Sequence, residues 1–332
     1  DGGTVSMDDG TIATTGLGAN GAFATGAGSM VALTGTNITA TGDGGHAVMA
    51  TAGGSMTVRD VSMTTTGKNA GAIATDRGGG TITATGCAVT TSGQDSPAIY
   101  STGTIAVADS TLLATGAEAA VIEGANSITV TNCSLSSRKE DKWGVMIYQS
   151  MSGDAEGARG VFTMTGGSLT YGSSTGPLFY VTNTTAVITL DHVTLTTASG
   201  RLVEAGAGRW GASGSNGGTV LLTANAQALT GDVSADALSS VTLTLTNEST
   251  LTGAINAAGT AKSAVLALDA TSSWIVTADS ALTGLSGCAV SGATITNIVG
   301  NGHTVTYDPA ASPSLGGRTY TLSGGGTLKP AA

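Results

Sequence analysis

Between Ile12 and Leu135 one short pattern returns six times: TIATTG, NITATG, SMTTTG, AVTTSG, TLLATG and NCSLSSR. Its apolar residue falls at Ile12, Ile38, Met63, Val89, Leu112 and Leu135, in steps of 26, 25, 26, 23 and 23 residues. A second column keeps the same beat through Phe23, Val48, Ile73, Ile99, Ile122 and Ile147. A third follows at Leu33, Val58, Ala84, Val107 and Val130. Three alternating runs per period, separated by Gly-rich turns, are three short strands. A unit of about 25 residues cannot bury an apolar face alone, whereas like units stacked along an axis can. The repeat therefore predicts an all-β, right-handed parallel β-helix with three strands per coil. Its 332 residues hold about 12–13 coils of roughly 22–26 residues, with like side chains stacked about 4.8 Å apart.

The composition suits such a solenoid. Its 52 Gly, 5 Pro and 10% charged residues fit narrow coils, with Gly assigned to positive-φ corners and Thr to exposed β faces. A net charge of −10 argues against nucleic acid, which requires a basic patch. No run of 18 apolar residues occurs, so no membrane span is expected. A start at Asp1, without Met or signal peptide, reads as a processed or excised piece. Cys87 and Cys133 share an inward column with Ser110 between them; two strand spacings, about 9–10 Å, are too far for a disulfide. With Cys288 they read as small core residues. No His or second Cys lies at ligand spacing, so neither metal nor other cofactor is expected.

The beat locates the boundaries. Val5 and Met7 match Ile82 and Ala84 at one offset of 77 residues, which places residues 1–10 inside a coil already. An uncovered coil end is an open sheet edge, so either further coils precede Asp1 or copies associate end to end. The solenoid is assigned to 1–296. The period stretches to 34 residues from Leu135 to Leu169 and from Leu195 to Leu229. The surplus is placed in insertions at 138–143, 149–160 and 205–218, the last two following a second strand and hence emerging on one side. Residues 297–332 lose the beat and gain Pro309, Pro313 and Pro330, as expected of a C-terminal β cap.

The repeated GGTITATG and SMTTTG coils, the TLTGAIN and SSWIVTADSALTGL segments, and the closing HTVTYD and GGRTYTLSGGGTLKP resemble adhesin-like surface proteins. These right-handed β-helix proteins are similar to autotransporter passenger domains of the pertactin type. The likeness covers essentially the whole chain. It implies an extracellular or cell-surface structural or adhesive role; the translocator barrel of true autotransporters is not in this sequence, so that secretion route is not implied.

Beside the second column runs Ala24, Met49, Ala74, Tyr100, Glu123, Tyr148, Tyr180 and Glu204. Its neighbours are apolar and face in, so this strip should face out. It turns from small residues to tyrosines and glutamates where the insertions begin. With Gln149, Asp154, Glu156, Arg159, Arg209 and Trp210 around it, the strip is a candidate surface for a glycan or another cell-surface partner. The corner residues Asn20, Asp43, Lys68, Asp95 and Glu118 read as solvated, and His46 as an exposed neutral histidine.

Three readings follow. The first is a non-catalytic structural or adhesive protein. The second is a polysaccharide-active enzyme, which needs two carboxyls at roughly 5–9.5 Å. Glu123 and Glu204 lie three coils apart, about 14 Å, which leaves Glu204 with Asp154 or Glu156. A lyase would also want cations, and only 12 Lys and Arg are spread over the chain. The third, remote reading is ice binding by the Thr triplets at 39–41, 64–66 and 90–92, where only Ala40 and Ser92 depart from Thr.

Overall fold

The computed structural model describes residues 2–151, 153, 155 and 157–331. The chain is a parallel β-solenoid of about 13 turns, and its one helical piece among the described residues is the 3-10 turn Pro313–Leu315. Two of the three columns stack as their spacing predicts. Ile12 lies opposite Ile38, and the ladder continues through Met63, Val89, Leu112, Leu135, Leu169 and Leu195. Leu33, Val58, Ala84, Val107 and Val130 form the other. Both ladders belong to one long sheet, because the strands Thr4–Thr14 and Met30–Ala40 run uninterrupted through the corner that later coils break.

The second sheet departs from the expected register. Its strands are Ala22–Thr25, Val48–Thr51, Ile73–Asp76, Ile99–Ser101, Ala120–Glu123, Val145–Tyr148, Phe179–Thr182, Arg201–Ala205 and Asp232–Ala235. Phe23 pairs with Met49, not Val48, and is 48% exposed. One inward ladder runs Val48, Ile73, Ile99, Ala120, Val145, Phe179 and Val203. Ile122 and Ile147 stand in a second inward ladder two residues further on, level with Ser101 and Val181. Side chains two apart point the same way, so an apolar residue in either position satisfies the core and the pattern alone does not choose between them. Phe23 faces out, and its neighbours Ala22 and Ala24 take the inward positions level with Val48 and Ala50.

The corners differ too. Gly42, Gly67, Gly93 and Gly116 do not take positive φ; a Cβ there would collide with the backbone of the coil before it. Close stacking selects glycine at these positions. Positive φ falls two residues later in the same turn, at Gly18, Gly44, Asn69 and Asp95, and again at the corner between the two long-sheet runs, at Asp9, Gly35, Asp60, Gly86, Asp109, Asn132, Gly166 and His192. These are mostly the residue types that tolerate that conformation. The cysteine column is as expected: the Cys87 amide donates to Ser110 Oγ at 2.9 Å, the Ser110 amide approaches Cys133 Sγ at 3.4 Å, and the three cysteines are free.

Beyond residue 227 a third sheet carries the stack onward, with Trp274 fully buried and its Nε1 donating to the Gly253 carbonyl at 2.8 Å. Parallel pairing continues past residue 297, Trp274 opposite Ile298 and Ser280 opposite Val305. Antiparallel pairing enters at Val290–Ser291 with Thr294–Val299 and at Tyr320–Ser323 with Thr327–Pro330. Among the described residues no helix is long and apolar enough to cross a membrane.

Candidate binding cleft

The outward face of the second sheet presents two columns rather than one strip. The first is Phe23, Met49, Ala74, Tyr100, Val121, Met146, Tyr180 and Glu204. The second, two residues on, includes Thr51, Asp76, Glu123, Tyr148 and Thr182. Glu123 and Tyr148 therefore stand beside Val121 and Met146, not between Tyr100 and Tyr180 as predicted. Strand alternation gave the outward face for these residues but not for Ala24, which is buried in the core while Phe23 takes the outward position.

Glu123 is 1% exposed and sits between the two tyrosines. Tyr100 OH donates to its Oε2 at 2.5 Å and Tyr148 OH to the same oxygen at 2.8 Å, while Ser150 Oγ donates to Oε1. A buried carboxylate is tolerated when donors satisfy it. Its role is to fix two rings. Burial, reinforced by the neighbouring negative charge, holds both phenols well above the usual tyrosine range, so they stay protonated and donating.

The insertions close over these rings. Trp143, at the end of the 138–143 corner, stacks on Tyr180 with centroids 4.3 Å apart and planes 8° from parallel. Trp210, from the 205–218 insertion, packs on Tyr148 at 4.7 Å, and the Arg209 guanidinium lies 4.4 Å over the Trp210 ring. Both segments are tied down. Tyr171 OH donates to the Lys139 carbonyl at 2.9 Å, Ser173 Oγ to Glu140 at 2.8 Å, and the Gly208 amide to Thr182 Oγ1 at 2.9 Å. Asn216 Nδ2 donates to the carbonyls of Gly208 and Trp210. Val121, Met146 and Tyr180 form an apolar floor beneath, separate from the main core.

The result is a cleft of about 880 Å³ running from His46 to Trp210. Aromatic rings and Met146 line one end. The other is polar, with Asn69, Asp76, Gln94, Asp95 and Glu118. Lys142 joins the two: its Nζ is 2.8 Å from Asp95, 3.4 Å from Glu118 and 5.8 Å from the Trp143 centroid. Glu118 is not a solvated corner but 3% exposed, and the following coil lays Lys142 against it. Burial raises its pKa, and Lys142 only partly offsets this. The hydrogen bond from Lys142 holds Asp95 below the usual carboxylate range. Burial opposes the charge of Lys142, but Glu118 and Asp95 outweigh it and the ammonium titrates above its ordinary value.

His46 is half-buried rather than exposed. Its Nδ1 lies 2.7 Å from the Gly71 carbonyl, which only accepts, so Nδ1 carries the proton. Burial lowers its pKa, against that hydrogen bond and the charge of Asp76. The neutral ring leaves Nε2 as an acceptor.

Of the residues singled out from sequence, Tyr100, Tyr148, Tyr180, Arg209 and Trp210 line the cleft and Glu123 lies under it. Glu204 stands in the outward column beside Tyr180 but is taken up by the Arg201 guanidinium. Gln149 is 7% exposed and braces its own loop, Nε2 donating to the Ala155 carbonyl at 2.8 Å. Arg159 opens the long-sheet strand Arg159–Thr165 and borders a different depression, of about 310 Å³. Asp154 and Glu156 lie outside the described residues. Glu118, Lys142, Trp143 and His46 escaped the sequence reading of the site. All four sit at corners, where only the stacked coils decide burial; Trp143 within a charged corner insertion was the one available signal.

No group of three or more His, Cys, Asp and Glu suited to a metal occurs among the described residues. The fold and cleft together define a parallel β-helix with a loop-built aromatic groove on one sheet. A scan against protein-family models gives no match, and a search of curated proteins gives none either.

Proposed function

We propose that this protein is a secreted or surface-displayed, non-catalytic β-helix that holds a glycan in the aromatic cleft. The observation that carries the reading is the loop-built wall of Trp143, Tyr180, Tyr148 and Trp210 over an apolar floor. Such walls suit the apolar faces of sugar rings, while Asp76, Gln94 and Asn69 at the polar end suit hydroxyls. The rings are held by stacking and by Glu123, so little side-chain freedom is lost on binding. An adhesive role accords with the resemblance to adhesin-like repeats. Calorimetric titration with a panel of oligosaccharides tests it. Trp143→Ala and Trp210→Ala are each expected to weaken binding about tenfold or more, with Phe23→Ala, remote from the cleft, unchanged. Equal affinity in all three variants refutes the site.

A second reading has one observation in its favour. Asp95 and Glu118 both approach the Lys142 ammonium, so they stand no further apart than glycosidase carboxyls at roughly 5–9.5 Å. Their environments push their pKa values in opposite directions, the pattern of a base and an acid. Release of reducing ends that Glu118→Gln abolishes would establish hydrolysis; its absence over the panel leaves binding alone.

A further inference from the structure

We infer that the occupant of the cleft is a linear glycan carrying free amino groups, lying along the solenoid axis with its amines at the Asp76 end. The inference rests on the glycan reading above.

Direction comes from the fold. The lining passes from the coil of Val48–Thr51 to that of Phe179–Thr182, five strand spacings or about 24 Å along the axis. That shape suits a chain laid lengthwise better than a compact sugar. Charge narrows the chemistry. The carboxylates are Asp76, Asp95, Glu118 and Asp141, against Lys142 and Arg209. Lys142 is held by Asp95 and Glu118, and Arg209 covers Trp210 at the far end. The lining around His46 and Asp76 thus offers acceptors and no lysine or arginine, although the charge of Lys68 reaches Asp95. A chain of uronates or sulfated sugars would place its charges against these carboxylates, within a molecule of net charge −10. An ammonium finds Asp76, the bare Nε2 of neutral His46 and the Gln94 side chain. The aromatic half takes ring faces whatever their substituents.

The experiment compares glucosamine oligomers with N-acetylglucosamine oligomers of equal length, and with an oligolysine peptide, by calorimetry at low and high salt. The expected result is that the free-amine glycan binds at least tenfold tighter than its acetylated counterpart. That preference should shrink with salt and fall several-fold in Asp76→Asn, a variant whose thermal midpoint confirms folding. Trp210→Ala should weaken both glycans alike. Equal or tighter binding of the acetylated oligomer overturns the amine inference and leaves the glycan reading intact. Binding of neither glycan overturns the amine inference, and the oligosaccharide panel then decides the glycan reading. An oligolysine peptide that outcompetes the glucosamine oligomer assigns the cleft to basic peptides and also overturns the inference.

Discussion

Two carboxylates of the cleft, five residues apart in sequence, do opposite things. Glu123 accepts from the hydroxyls of Tyr100, Tyr148 and Ser150 and positions rings; Glu118 meets the Lys142 ammonium, shared with Asp95. Replacing Glu123 by Gln puts a donor where acceptors are required. Such a change is expected to cost about 1–3 kcal/mol, read as a lower unfolding midpoint, and to loosen Tyr100 and Tyr148, read in their fluorescence. An unchanged midpoint would contradict the arrangement. Lys142→Met should cost about 3 kcal/mol near neutral pH, since it leaves a buried carboxylate without its cation. The sign with pH follows from the shifts. Glu118, raised in the fold, favours the folded state when protonated, and that contribution falls as pH rises between its unfolded and folded values. Asp95, lowered, contributes above its ordinary range and loses that as pH falls through the depressed value. Lys142, raised, contributes below the ordinary lysine range and loses that on the alkaline side. The cost of Lys142→Met should therefore shrink as pH falls through the raised Glu118 value; denaturant melts over a descending pH series from neutral would show it. At this scale the sequence disclosed Tyr100, Tyr148, Tyr180 and Trp210, because alternation assigns faces on strands. It could not disclose Glu118 or His46, whose burial is imposed by a neighbouring coil.

Within a coil, facing decides tolerance. Ile73 is fully buried and Thr66 is exposed. Ile73→Asp is expected to lose about 4 kcal/mol or more by burying an unpaired charge, and Thr66→Asp to stay within about 0.5 kcal/mol. Similar urea midpoints would refute the assigned faces. The left-handed corner adds a coupled pair. A Cβ on Gly86, at φ +69°, would strike the Asp60 side chain on the coil before it; Gly35 meets Asp9 and Gly166 meets Asn132 in the same way. Gly86→Ala should cost about 1–2 kcal/mol from strain and collision together. In an Asp60→Gly background only the strain remains, so a double-mutant cycle should return a coupling of at least about 0.5 kcal/mol; strict additivity would dismiss the collision. The periodicity of Ile12, Ile38 and Met63 made these elements readable. Phe23 escapes the pattern because an apolar residue marks a strand without fixing which of its two faces is inward.

For the whole molecule, the architecture was legible and the chemistry only in part. The repeat predicted parallel stacking and the number of turns, since each is a consequence of fixed strand spacing. The cleft needed more, because Trp143 and Trp210 reach it from loops whose paths no period dictates. Each coil bonds almost wholly to the coil on either side, as the register from Ile12 through Leu195 makes plain. Stability is then a sum over neighbouring layers. Pulled from its two ends on a force probe, such a rod should peel one layer at a time, in jumps of about 80–90 Å for a 25-residue coil and longer ones where the period stretches. The jump that frees Lys142 and Trp143 should demand the most tension, for there the backbone ladder is riveted by stacked rings and a bridging ammonium.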